Sequence, residues 1–66
     1  MKVGFIGLGT MGASMAYNTL QAGSPLTVHD IRREAATRHL EEGASWADTP
    51  RQVAEVSDVV FTSLPG

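Results

Sequence analysis

The chain has 66 residues and a formal net charge of −2, and 42% of its residues are apolar. That apolar content is typical of a folded domain, and a chain without a basic run offers nucleic acid no electrostatic footprint. There is no cysteine, which excludes disulfides, thiolate metal sites and a cysteine nucleophile and is compatible with a reducing cytoplasm. No apolar run approaches the roughly 18 residues of a membrane span, so we expect no membrane partner. Together with the absence of a basic run and of cysteine, this leads us to expect a cytoplasmic protein without nucleic-acid partners.

The first half of the chain alternates short apolar runs with a helical pattern. Residues 3–6 form an apolar run that stops at a glycine, which predicts a short buried strand. Residues 10–22 carry apolar side chains at i, i+4 spacing and are followed by Gly23, which predicts a helix with a glycine stop. Residues 26–29 predict a second strand, which ends on Asp30.

The next segment predicts a second helix and a very short third strand. Residues 31–42 are rich in Ala, Glu and Arg, and a helix there places Ile31, Ala35 and His39 on one face. The short strand is expected at residues 44–46.

The last segment predicts a brief helix followed by a buried strand. Thr49 can cap the helix, Pro50 suits its first position, and Gln52 lies where a capping box has Glu or Gln. Residues 58–64 are almost continuously apolar and β-branched, which is typical of a strand covered on both faces.

The resulting order, β-α-β-α-β-α-β, predicts an α/β fold with a Rossmann-type parallel sheet, right-handed crossovers and the strand order 3-2-1-4. A complete dinucleotide fold has two such halves. We therefore expect residues 1–66 to be the N-terminal part of a dinucleotide-binding domain, without the domain that would bind the substrate.

The segment from residue 7 to residue 12 has the spacing G-x-G-x-x-G between a predicted strand and a predicted helix, and Asp30 follows Gly12 by 18 positions (30 − 12). In this context Gly7 permits the tight turn, Gly9 lets a pyrophosphate approach the backbone, and Gly12 allows close helix packing. The helix start offers N–H groups and a partial positive charge to the phosphates. An ordinary glycine turn is the simpler alternative.

Asp30 is expected to accept hydrogen bonds from the adenosine ribose, which favours NAD over NADP because a carboxylate repels a 2′-phosphate. Its alternative role is to cap the second helix. Arg32 and Arg33 keep NADP open, since a nearby guanidinium can pair with a 2′-phosphate.

The residues around the glycine turn resemble a known family. Phe5–Gly12, followed by Met15-Ala16 and Asn18, is similar to the N-terminal signature of the β-hydroxyacid dehydrogenases. That family includes 3-hydroxyisobutyrate dehydrogenase, tartronate semialdehyde reductase and 6-phosphogluconate dehydrogenase. Val28-His29-Asp30 and Ser63-Leu64-Pro65 agree with its second and fourth strand endings.

The resemblance implies NAD- or NADP-linked oxidation of a β-hydroxyacid, or reduction of the matching semialdehyde. In that family the acid/base lysine and the substrate-binding segment come much later in the chain, and the only lysine here, Lys2, is no candidate. We therefore expect no catalytic residue in these 66 residues, and homo-oligomer contacts only in the absent domain. The motif and the resemblance together predict these cofactor contacts: Gly7, Leu8, Gly9, Thr10, Met11, Gly12, Asp30, Ile31, Arg32, Leu64 and Pro65.

Two other functions remain open: a catalytically inert nucleotide-binding fragment or sensing module, and an S-adenosylmethionine-binding methyltransferase domain, which also has a glycine loop and an acid. His29 and His39 are isolated and predict no metal site. Trp46 is expected to cover the sheet edge, with adenine stacking as the alternative.

Overall fold

The structure, a computed structural model, describes residues 1–63, apart from the side chains of residues 10 and 11. Its elements in chain order are β1 (Val3–Ile6), α1 (Thr10–Gln21), β2 (Leu26–His29), a 3-10 turn (Arg33–Ala36), α2 (Thr37–Glu41), β3 (Ser45–Trp46), α3 (Pro50–Val56) and β4 (Val59–Thr62). The strands form one parallel sheet in the order β3-β2-β1-β4. This confirms the predicted Rossmann-type topology.

The register of the sheet brings three strand ends to one level. Ile6, the last residue of β1, lies between His29 of β2 and Thr62 of β4. The segments that follow these strands therefore meet at the carboxyl edge of the sheet, where open α/β sheets bind their ligands.

The two faces of β1 carry different helices. Phe5 points into the main core, where α1 contributes Ala16 and β2 contributes Val28. A Cβ on Gly4 would lie on the opposite face, 2.5 Å from Val53 Cγ1 and 2.5 Å from Ser57 Oγ. The sequence did not predict this close approach: a side chain at position 4 would force Val53 and Ser57 of the α3 segment to move.

The second helix begins later than predicted. In place of one helix over residues 31–42 there is a 3-10 turn followed by α2, and Ile31 is 92% exposed rather than on a buried face. The cause is local, because Asp30 Oδ1 accepts a hydrogen bond from the Arg32 N–H at 3.0 Å. The hydrogen bond from Arg32 to Asp30 holds Arg32 extended, at φ −118° and ψ 112°, so the helical backbone starts after Arg32.

The prediction that the last strand is covered on both faces is wrong for the described residues. Strand β4 is an edge strand paired with β1, and its Val60 and Phe61 are 36% and 44% exposed. Phe61 stacks on Phe5 with ring centroids 5.2 Å apart, so its contact comes from the neighbouring strand. Apolar composition indicates that a face is suited to burial without specifying what covers it. Leu64, the last residue of the predicted strand, lies outside the described residues.

The start of α3 confirms the predicted cap. Thr49 Oγ1 accepts a hydrogen bond from the Gln52 N–H at 3.1 Å, and Pro50 takes the first helical position. The Gln52 side chain departs from a strict capping box, because it accepts from the Asp48 N–H at 2.9 Å rather than from the cap residue's own N–H. Within residues 1–63, no helix is both long enough and apolar enough to span a membrane.

Candidate functional site

A cleft of about 300 Å³ opens at the carboxyl edge of the sheet, beside the start of α1. Its walls come from the ends of β1 and β2, the glycine turn, the start of α3 and the residue after β4. The lining residues are Ile6, Gly7, Gly9, His29, Asp30, Ile31, Arg32, Pro50 and Ser63.

The fold itself requires Gly7. Its φ of +88° is a conformation that other residues rarely adopt. A Cβ there would also collide with the carbonyl oxygen of Ser63. The N–H of Gly7 donates to the His29 carbonyl at 2.8 Å, which fixes the turn against β2.

Close packing requires Gly12 as well. It is buried in the first turn of α1, and a Cβ there would lie 2.7 Å from Ser63 Cβ and 3.0 Å from the Gly7 carbonyl oxygen. The helix therefore rests on the segment after β4 at a distance that no larger residue allows.

Gly9 differs from both because nothing in the described fold requires a glycine there. Its φ of −64° and ψ of 179° suit any residue, it is exposed, and a Cβ would meet only Ser63 Oγ at 3.7 Å, an ordinary contact. The space over Gly9 belongs to the cleft. The described fold therefore leaves room for a ligand directly against this backbone.

The start of α1 has the electrostatics of an anion site. The helix has 12 residues, its N-cap is Gly9 without a side-chain cap, and its first turn contains no acid. Its first N–H groups therefore lack intrahelical partners, and the helix dipole adds a partial positive charge. These features, with the open space over Gly9, fit a pyrophosphate.

Asp30 links the end of β2 to the glycine turn. Its Oδ2 accepts from the Leu8 N–H at 2.7 Å, while Oδ1 accepts from the Arg32 N–H. Burial raises the pKa of Asp30, but the hydrogen bonds from Arg32 and Leu8 and the charges of Arg32 and His29 outweigh it, so the pKa lies below its usual value. The group is thus a carboxylate at neutral pH. It does not cap the second helix, because the N-cap of the 3-10 turn is Arg32 and the N-cap of α2 is Ala36.

The cleft also has apolar walls. Ile31, one of the predicted contacts, extends into solvent after Asp30 and lines the cleft together with Pro50. The sequence identified Pro50 only as a helix start, and its second role follows from the closeness of α3 to β2, which no local pattern reports. Leu8 offers the cleft little, because its side chain is 6% exposed and its N–H is bonded to Asp30.

Four predicted contacts cannot be placed. Leu64 and Pro65 lie outside the described residues, and so do the side chains of Thr10 and Met11.

The remaining singled-out residues pack within the fold. Trp46 lies in the edge strand β3, with its ring centroid 5.5 Å from that of His29. His39 is 3% exposed, and its Nε2 lies 2.9 Å from the Ala13 carbonyl oxygen, so this imidazole joins α2 to α1. In the part of the chain that the structure describes, no group of three or more His, Cys, Asp or Glu side chains could hold a metal ion.

A parallel sheet of order 3-2-1-4, a glycine turn that opens a helix at its carboxyl edge, and an acid at the end of the adjacent strand define a Rossmann-type dinucleotide-binding domain. Comparison with known families agrees. Residues 2–66 match the family described as the NAD binding domain of 6-phosphogluconate dehydrogenase, and the chain belongs to this family. The membership favours a nicotinamide dinucleotide over S-adenosylmethionine, and it confirms the resemblance found in the sequence.

Individual relatives extend this result. The chain is 51% identical over 64 residues to a probable mitochondrial 3-hydroxyisobutyrate dehydrogenase from Arabidopsis thaliana, covering 97% of this chain and 18% of that protein. A Myxococcus stipitatus imine reductase variant in complex with NAD+ superposes with a TM-score of 0.90 at 28% identity, covering 96% of this chain and 22% of that one. A reductive aminase from Aspergillus terreus in complex with NADPH and ethyl levulinate gives 0.88 at 32% identity, with the same coverage. The chain thus spans about a fifth of the length of these relatives.

Proposed function

We propose that this chain is the cofactor-binding part of an NAD(P)-dependent oxidoreductase that oxidises a β-hydroxyacid or reduces the corresponding semialdehyde. The observation that carries the proposal is Gly9, a glycine that the fold does not need and that opens onto a cleft at a helix start. The name of the Arabidopsis relative, a 3-hydroxyisobutyrate dehydrogenase, supports the substrate class.

The nicotinamide cofactor supplies the hydride chemistry, and this chain binds and orients it. We assign the pyrophosphate to the turn between Gly7 and Gly12, where the first N–H groups of α1 are free to donate. We assign the adenine to the apolar walls formed by Ile31 and Pro50. No residue of this chain is assigned to proton transfer, since Lys2 precedes β1 and so lies at the amino edge of the sheet, away from the cleft.

We propose that NAD is preferred over NADP. Asp30 is held as a carboxylate at the cleft, and each of its oxygens accepts one backbone N–H. A carboxylate oxygen can accept more than one hydrogen bond, so both oxygens retain capacity for the ribose hydroxyls. The same negative charge repels a 2′-phosphate, while the Arg32 side chain at the cleft lessens this repulsion.

Calorimetric titration of the purified protein with NADH and NADPH tests both parts of the proposal. We expect the wild type to bind NADH more tightly, and Asp30→Ala to weaken NADH binding by about tenfold, the effect of one lost charge-assisted hydrogen bond. Asp30→Ala also removes the acceptor of the Leu8 N–H, and this disturbance of the turn weakens the binding of both cofactors. The ratio of the two affinities is therefore the decisive quantity.

The control is Glu41→Ala, which removes an exposed acid on α2 and leaves both affinities unchanged. Failure of the wild type to bind either cofactor contradicts the proposed function. A larger loss for NADPH than for NADH contradicts only the role of Asp30.

We also propose that the protein acts in the cytoplasm. Its lack of cysteine supports a reducing compartment. Fractionation of cells expressing the native gene tests this, and recovery in an organelle contradicts it.

A further inference from the structure

Two consecutive arginines follow the acid of the cleft, and they lie in different surroundings. Arg32 lines the cleft together with Asp30. The guanidinium carbon of Arg33 instead lies over the ring of Trp46, 5.5 Å from its centroid. This distance is within the range of a cation–π interaction.

The ring that holds Arg33 is itself fixed. Trp46 Nε1 donates to Asp48 Oδ1 at 3.0 Å, and the ring lies against His29 at a centroid distance of 5.5 Å with an interplanar angle of 40°. His29 is part of the cleft wall. Trp46 therefore stands behind that wall, at the outer edge of the sheet.

We infer that Trp46 is a positioning residue for cofactor choice: it keeps the Arg33 guanidinium away from the place of an adenosine 2′-phosphate, so that NADPH gains one fewer cation. This inference rests on the proposed function, which puts the adenosine ribose at Asp30. Arg33 follows Asp30 by three positions and is exposed, so rotamers that leave the ring are open to it.

The strength of the effect follows from the contact that is lost. A cation–π interaction at an exposed site corresponds to about a two- to fivefold change in a binding constant. In the wild type Arg33 keeps this contact and does not pair with a 2′-phosphate, because leaving the ring costs this factor. Removing the ring therefore favours NADPH binding by up to that factor and leaves NADH binding unchanged.

Four proteins test the inference by calorimetric titration with NADH and NADPH: the wild type, Trp46→Leu, Arg33→Gln and the double variant. Trp46→Leu should raise the NADPH-to-NADH affinity ratio by about two- to fivefold. Arg33→Gln alone should leave the ratio unchanged, because Arg33 is held away from the phosphate. The double variant should match Arg33→Gln, since without the guanidinium there is nothing to release.

The conservative variant Trp46→Phe retains a ring face but loses the hydrogen bond to Asp48, so its ratio should lie between that of the wild type and that of Trp46→Leu. If Trp46 has a purely structural role, Trp46→Leu weakens the binding of both cofactors equally and the affinity ratio does not change. That result overturns the inference. A raised NADPH-to-NADH affinity ratio that persists in the double variant also overturns the inference. A selective loss of NADPH binding in Arg33→Gln does the same.

If Trp46→Leu does not fold, Trp46→Met replaces it, because a flexible side chain adapts to the same space without offering an aromatic face. Absence of binding by the wild type to either cofactor would instead contradict the proposed function.

Discussion

Replacing Gly9 by alanine separates what the fold requires from what a ligand requires. The new Cβ would stand 3.7 Å from Ser63 Oγ and touch no closer atom of the residues that the structure describes, and the backbone angles at this position suit alanine. The only space it takes is the part of the cleft where the pyrophosphate is assigned.

The expected effect on stability is close to zero because two contributions oppose each other. Alanine restricts the unfolded chain, which stabilises the protein by about 0.4–1 kcal/mol at a compatible position. Gly9 is also the N-cap of α1, and alanine is a poorer N-cap than glycine by about 0.5–1 kcal/mol. The net change should stay within about 0.5 kcal/mol, a shift of less than about 4 °C in Tm.

The expected effect on binding is large. The Cβ holds the phosphate away from the first N–H groups of α1, and a hydrogen bond to a charged group contributes about 1.5–3 kcal/mol. The loss corresponds to about a 10- to 150-fold weaker affinity for NADH. Thermal unfolding by circular dichroism and calorimetric titration with NADH measure the two effects on the same preparation.

Gly7→Ala is the matched comparison, because it changes the same turn by the same methyl group. The positive φ costs about 1–2 kcal/mol with a side chain, and the collision with the Ser63 carbonyl costs about 1–3 kcal/mol more. This variant should lose stability as well as binding. The reasoning is refuted if Gly9→Ala binds NADH like the wild type, or if it unfolds as readily as Gly7→Ala.

Three further predictions concern the contacts around the cleft. Asp30→Asn should destabilise the protein by about 1 kcal/mol at neutral pH, because an amide has one acceptor oxygen for two N–H groups. The pKa of Asp30 is lowered in the folded state, so the difference in stability between Asp30→Asn and the wild type should be present above about pH 4 and vanish as the pH falls through the folded-state pKa. Thermal melts over a range of pH measure this difference. Gly4→Ala should cost about 1–3 kcal/mol in urea unfolding because its Cβ meets Val53 and Ser57 at 2.5 Å, and a neutral result would contradict the close approach of α3. Thr49→Ala should cost about 1 kcal/mol and Thr49→Ser much less, and equal losses in the same unfolding experiment would rule out the hydroxyl cap.

Local chemistry explains which elements the sequence predicts well. The strands at Val3–Ile6 and Leu26–His29 have the predicted bounds, because each is a short segment with apolar residues that is bounded by residues that end strands. Thr49 and Pro50 mark the start of α3 for the same reason, since both act through the adjacent backbone. The alternation of strands and helices predicted the parallel sheet, and the Rossmann-type assignment predicted its strand order.

The features that the sequence does not predict depend on residues distant in the chain or on competing hydrogen bonds. Ile31 leaves the second helix because the Asp30 carboxylate captures the Arg32 N–H, a choice that periodicity cannot register. Pro50 reaches the cleft only through the packing of α3. The exposure of Phe61 depends on what lies beside an edge strand, which its own composition does not specify.

The three glycines of the turn show why the motif alone leaves its function open. All three are the same letter at the expected spacing, yet Gly7 and Gly12 would be needed in a turn that bound nothing. Asp30 is ambiguous in the same way, because its carboxylate already bonds the Leu8 N–H of the turn and its loss disturbs the fold together with any ribose contact. Gly9 alone has no structural reason to be glycine. A variant at that position can therefore weaken cofactor binding without weakening the fold, which variants at Gly7 and Gly12 do not allow.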